Sequence, residues 1–202
     1  MKDGKSETDV GNFGRERAVV IGRRQFLAGA AAFLGTGAAS TVFPTPAVAK
    51  KSVDIRQLYL VQNRTGEMIN VVYWADDTYF PDVLSEINFF MRDWRADRHR
   101  VMDLRNINTL SAIQQILRTD QPLQLLSGYR TKSTNNLLRN RGLRVAKKSL
   151  HIHGKAADIR VRGVSTSTLT RAAKSCRSGG VGRYYGSGFV HVDSGDVRSW
   201  SS

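Results

Sequence analysis

Ser149-Leu150-His151-Ile152-His153-Gly154-Lys155-Ala156-Ala157-Asp158 is the stretch on which the reading of this chain turns. It sets a histidine and an aspartate at a short offset, with Gly154 and two alanines between them. His151 and Asp158 do not share a helical face through a single turn. Gly154 lets the backbone bend tightly, and the alanines let it pass close to packed neighbours. The segment therefore reads as a bend that feeds a strand, Ala157 to Val161. Downstream, Phe189-Val190-His191-Val192-Asp193 reads as a last buried strand. His191 and Asp193 alternate with apolar neighbours there, so both point to one sheet face. If that face looks at His151 and Asp158, two imidazoles and a carboxylate meet, with Asp193 beside them. Such a set suits a catalytic zinc, which takes three protein ligands and keeps a fourth position open for water. His153 would point inward with His151 if the segment is extended; otherwise it is a partly exposed loop histidine. Three ligands already complete an open site, so His153 is expected to stand outside it. His99 lies between Arg98 and Arg100, where cationic neighbours disfavour a metal.

Working outward, Ile55 to Gln62 and Glu67 to Trp74 read as two strands of an antiparallel hairpin, joined by the turn cluster Asn63-Arg64-Thr65-Gly66. Pro81 suits the first turn of a helix, and Val83, Leu84, Ile87, Phe90 and Met91 follow at helical spacing. Ile107, Leu110, Ile113, Ile116 and Leu117 predict a second helix over Asn106 to Arg118. Leu123 to Ser127 is a short apolar strand. Thr131 to Arg141 is a polar helix or long turn ending at Gly142. Ser165 to Arg177 is an amphipathic helix with Leu169, Ala172, Ala173 and Cys176 inward. Gly179-Gly180-Val181-Gly182 reads as a glycine-rich turn. The expected fold class is α+β, a mainly antiparallel sheet with two to three flanking helices.

The N-terminal segment stands apart. Residues 1 to 22 are polar and charged; Arg23-Arg24-Gln25-Phe26-Leu27 follows, then an Ala/Gly-rich apolar run to Val42, closed by Ala47-Val48-Ala49. This is the layout of a signal peptide, and the paired arginines point to twin-arginine export. Residues 1–49 are read as that cleaved signal and 50–202 as one domain, enough chain for one real core. The apolar run is too short and too rich in Gly and Ala for a comfortable membrane span. No later run is longer, so no stable membrane insertion is expected after cleavage.

Of the 202 residues' formal net charge of +14, residues 1–49 carry +2 and the rest +12. A basic exported protein suits an acidic cell wall or an anionic surface. A nucleic-acid partner is not expected: export argues against it, and there is no identifiable surface of interleaved aromatic and basic residues. Cys176 is the only cysteine, so there is no internal disulfide framework. After the strand Leu123 to Ser127 comes Gly128-Tyr129-Arg130-Thr131. An arginine just past a strand end can hold a carboxylate or steady a developing oxyanion.

The motifs S-G-Y-R-T, S-x-H-x-x-G-x-A-x-D and F-V-H-V-D together resemble the LAS-type zinc peptidases, the group of D-alanyl-D-alanine carboxypeptidases and the hedgehog fold. Asn88 to Arg95, Val145 to Ser149 and Gly179 to Gly182 resemble its twin-arginine-exported murein endopeptidase K branch. The resemblance spans Lys50 to Trp200. It implies a hedgehog/DD-peptidase-like zinc fold with Zn2+ held by His151, Asp158 and His191. It implies a periplasmic enzyme, brought there by the Tat export machinery, that hydrolyses cross-linked peptides of peptidoglycan. The bond between two diaminopimelate residues is the expected target, with D-alanyl–diaminopimelate links as a second. Arg130 matches the family arginine that contacts substrate or the tetrahedral intermediate. One departure matters. Many members carry Glu or His two or three residues before the second zinc histidine, as general base; here Gly188 and Phe189 stand there. Asp193 is the nearest replacement, either as that base or as the group that orients His191. The rival to the enzyme is a non-catalytic peptidoglycan-binding module that keeps the zinc fold.

Overall fold

Alternating burial along Ile55–Gln62 (β1), with Leu58, Leu60 and Gln62 inward, marks it as a strand with one face on the core. In the computed structural model, which describes residues 54–143 and 145–202, β1 pairs antiparallel with Met68–Ala75 (β2). Gly66 turns between them at φ +76°. A two-residue strand, Thr78–Tyr79 (β3), folds back on β2. Pro81 then opens Pro81–Phe90 (α1) at the position where a missing N–H costs nothing. Asp103 caps Leu104–Leu117 (α2) by accepting from the Arg105 N–H, and the helix ends at Arg118 in a left-handed conformation.

The chain re-enters the sheet as Leu123–Ser127 (β4) and leaves it for Lys132–Asn140 (α3), capped by Thr131. After the short 3-10 helix Leu150–His153 come Ala156–Val161 (β5) and Thr166–Ser175 (α4), capped by Ser165. Gly180–Tyr184 (β6), Phe189–Asp193 (β7) and Arg198–Ser201 (β8) complete the order. The strands form one sheet, β3-β2-β1-β4-β5-β7-β6-β8. Helix α1 packs on β2, α2 on β1, and α4 on β5, β6 and β7; α2 and α4 also touch each other. Ala157, Ile159, Val161, Val190, Val192 and Val181 join Leu169, Ala172 and Ala173 in that core. Strand alternation therefore turns Asp158, His191 and Asp193 to the opposite face.

Three expectations need correction. The sheet is mixed rather than mainly antiparallel, because β1 pairs parallel with β4 and β6 parallel with β8. A parallel pair needs a long crossover, and the β2-β3-α1-α2 segment supplies it for β1 and β4. Among the described residues there are four α-helices, not two to three, since Lys132–Asn140 closes into a true helix. Gly180-Val181-Gly182 is strand, not turn. The signal segment, residues 1–49, lies outside the described residues.

Candidate functional site

His151 is set by a tight local fold. Its 3-10 helix ends on Gly154 at φ +68°, where an added Cβ would lie 2.6 Å from the Val101 carbonyl oxygen. Only glycine fits that conformation and that gap. His151 Nδ1 donates to the Gly128 carbonyl oxygen at 2.7 Å, since a carbonyl can only accept. Nε2 is left unprotonated and faces the site. The His151 carbonyl in turn accepts from the Arg130 N–H at 3.1 Å, so the two residues are tied through backbone.

The other groups stand along one row of the sheet. Ser127 pairs with Asp158, Asp158 with His191, His191 with Gly182, and Gly182 with Trp200. The row thus crosses β4, β5, β7, β6 and β8. Asp158 Oδ1 lies 3.2 Å from His151 Nε2 and 2.8 Å from His191 Nδ1, and the two ring nitrogens are 3.2 Å apart. His151, Asp158 and His191 each offer one donor atom within 4.8 Å of the others. His153 is exposed and His99 is exposed; neither joins them.

Arg130 is buried at 7% exposure. Its Nη2 reaches Ser127 Oγ at 3.0 Å and Asp158 Oδ2 at 3.4 Å, and its Nη1 reaches Asn135 Oδ1 at 3.4 Å. The guanidinium therefore sits against the side of Asp158 that the histidines leave free. Next to it, Asp93 accepts from the Thr131 N–H and hydroxyl at 2.9 and 2.8 Å, which ties the segment after α1 to the Arg130 loop.

Asp193 shares the face of His191, as strand alternation requires. Its Oδ2 contacts His191 Nε2 at 3.1 Å. Arg198 forks onto both oxygens at 3.0 and 2.7 Å, and the N–H groups of Gly180 and Gly195 donate to Oδ1 at 3.1 and 2.8 Å. The side chain is fully buried.

Electrostatics follow this geometry. Burial pushes the Asp158 carboxyl up, but His151 and then His191 outweigh it and hold it well below the usual carboxylate range. Burial holds His151 toward its neutral form. For His191 burial acts the same way, but its bonds to Asp158 and Asp193 prevail and push it up to about 9. Burial also raises the Asp193 carboxyl, and His191 and Arg198 more than reverse this. Burial lowers Arg130, opposed by Asp158.

Sequence reasoning missed Arg198, Trp200 and Tyr184. The Trp200 ring lies 5.4 Å from that of His191, and its Nε1 donates to the Tyr184 hydroxyl at 3.3 Å. The available signal was the glycine alternation itself. A Cβ on Gly182 would sit 2.5 Å from the Trp200 ring, and one on Gly180 would sit 2.5 Å from Asp193 Oδ2. Glycines in a strand mark such close approaches.

The donor chemistry fits a metal. Two imidazole nitrogens, each with its opposite ring nitrogen held by a hydrogen bond, face a carboxylate oxygen from a third element. Three protein donors of these types are the kind of set that can hold one metal ion. The chain belongs to the peptidase M15_2 family, described as "Peptidoglycan L,D-endopeptidase MepK", whose family model matches residues 50–200. M15 is a metallopeptidase family. The chain is similar to the Peptidoglycan L,D-endopeptidase MepK of Escherichia coli strain K12, at 40% identity over 179 residues, 88% of this chain and 96% of the relative. The Shigella flexneri protein of the same name matches to the same extent. The Probable peptidoglycan L,D-endopeptidase MepK of Haemophilus influenzae is 34% identical over 162 residues, 79% of this chain and 87% of the relative. No helix among the described residues is long and apolar enough to cross a membrane.

Proposed function

We propose that this protein is a zinc-dependent murein endopeptidase of the hedgehog/DD-peptidase-like fold. It hydrolyses diaminopimelate–diaminopimelate cross-links of peptidoglycan, with D-alanyl–diaminopimelate links as a second target. The convergence of His151, Asp158 and His191 carries the reading. In this proposal those three hold Zn2+; mixed nitrogen and carboxylate donors suit zinc better than the all-oxygen sets of magnesium or calcium. Zinc held there would supply a Lewis acid and make water more acidic. Arg130, pinned by Ser127 and Asn135, holds the substrate carbonyl and steadies its developing charge.

Asp193 acts as the group that orients His191, not as the general base. A carboxylate has about four lone-pair sites. Here five donors already crowd its two oxygens. The saturation of Asp193 and the inert Gly188 and Phe189 are also what favour the rival, a wall-binding module without turnover.

Residues 1–49 are the twin-arginine signal in this account, the Tat machinery the export partner, and the periplasm the destination. The cationic surface docks on the anionic wall, an attraction that weakens with salt. The test is chromatography of purified muropeptide dimers, one linked through two diaminopimelates and one through D-alanine, after incubation with the protein. Conversion of the first dimer to monomers, faster than the second, is expected. Intact dimers together with pull-down by whole wall would instead support the binding module.

A further inference from the structure

Tyr184 stands on β6 opposite Phe189, two residues on from Gly182. Its side chain therefore leaves the sheet on the face that carries His191. Its ring stacks on Phe189 with centroids 4.5 Å apart and planes within 10°. Its oxygen accepts from Trp200 Nε1, and this is the one hydrogen bond that the side chain makes among the described residues. An indole N–H only donates. It occupies a lone pair of the phenol oxygen and leaves the phenol hydrogen to point elsewhere. The stacked ring on one side and the indole on the other fix where that oxygen sits. The indole that holds it also lies 5.4 Å, ring to ring, from His191, so the phenol oxygen stands beside the donor cluster. The sheet order puts Arg130 on the β4 side of the donor cluster and Tyr184 on the β6 side.

We propose that Tyr184 is a catalytic residue whose O–H donates to the carbonyl oxygen of the scissile amide as that oxygen gains charge, with Trp200 as the residue that positions it. This rests on the peptidase reading above. Arg130 and Tyr184 then grip one oxygen from two sides. A donor whose place is set beforehand needs no reorganisation when charge develops, so it acts on the transition state more than on the ground state. Gly182 belongs to the same device, because only a residue without a Cβ lets the Trp200 indole lie across β6.

Tyr184→Phe tests this, since it keeps the ring and its stacking and removes only the oxygen. In zinc-loaded protein, kcat is expected to fall about 10²-fold. KM should stay within about threefold, as for an interaction made only in the transition state. Zinc stoichiometry and melting temperature should match the wild type. Trp200→Phe, which deletes the N–H but keeps an aromatic ring, should lower kcat in the same direction by a smaller factor, with KM held.

A second readout needs no turnover. A phosphinate analogue of the cross-link should bind Tyr184→Phe about 10²-fold more weakly than wild type, while the parent amide peptide binds both alike. Wild-type protein that binds the phosphinate but leaves dimers intact defeats the peptidase reading and with it a catalytic role for Tyr184, whereas dimers cleaved equally by wild type and Tyr184→Phe defeat the Tyr184 assignment alone. A kcat within twofold of wild type, a rise in KM alone, equal loss for both ligands, or no phosphinate binding by the wild type overturns the assignment.

Discussion

Gly182→Ala puts one methyl group where the account leaves no room. The new Cβ would lie 2.5 Å from Trp200 Cε2 and Cζ2 and 2.7 Å from its Nε1. Carbon atoms settle at about 3.5–4.0 Å, so the indole must retreat by about 1 Å. Backbone movement is a poor alternative, because β6 is paired on one side with β7 and on the other with β8. The retreat breaks the 3.3 Å bond from Trp200 to Tyr184 and loosens the contact with His191. Overpacking of this kind costs about 1–3 kcal/mol. At about 2 kcal/mol, a domain of this size should melt about 4–8 °C lower. Thermal melts of chelator-treated protein would measure it without coupling to metal. Gly186→Ala is the control: nothing lies within 4 Å of its added Cβ, and its stability should stay within about 0.5 kcal/mol of wild type. If Gly182→Ala melted with the control, the packing of Trp200 over β6 would be wrong, and with it the account of Tyr184.

Three further outcomes are expected. His191 is raised to about 9 in the metal-free fold against an ordinary 6.5, so its stabilising contribution is complete below about 6.5 and fades as pH rises through about 9. Metal-free protein should therefore lose stability over that window while zinc affinity, followed by titration against a competing chelator, rises across it; affinity that fell with pH would contradict this. Asp193→Asn should weaken zinc about 10–100-fold yet recover most turnover at saturating zinc. Turnover lost by orders of magnitude at full occupancy would make Asp193 a proton carrier instead. Arg130→Lys cannot bridge Ser127, Asn135 and Asp158 at once, and steady-state kinetics should show kcat about 10²-fold lower; unchanged kcat would remove Arg130 from the chemistry.

Much of this molecule was legible before its structure. Ile55–Gln62, Leu123–Ser127 and Phe189–Asp193 have the bounds that their apolar patterns predict, because burial on one or both faces writes itself into a strand. That His151, Asp158 and His191 come together was legible because strand alternation puts Asp158 and His191 on one face once their strands pair, with the bend at Gly154 just before them. What was not legible depends on neighbours distant in sequence. Gly180 and Gly182 look like turn residues until Arg198 and Trp200 are seen lying across them. Strand β8, Arg-Ser-Trp-Ser, has no apolar run to announce it, and only its parallel pairing with β6 defines it. The parallel pairing of β1 with β4 is set by where the α1–α2 crossover returns the chain, which no local pattern encodes. The filling of Asp193's lone pairs by Arg198 and two backbone N–H groups was likewise invisible, so its role stayed open between base and orienting group.

The most direct test of the central claim is zinc add-back. The protein is stripped with chelator and then supplied with one equivalent of Zn2+, and cleavage of diaminopimelate–diaminopimelate dimers is followed by chromatography. The account predicts no cleavage by stripped protein, restored cleavage at one equivalent, and none from His151→Ala, Asp158→Ala or His191→Ala at that same zinc level. Full cleavage by the stripped protein, or undiminished cleavage by any of the three variants, would contradict it.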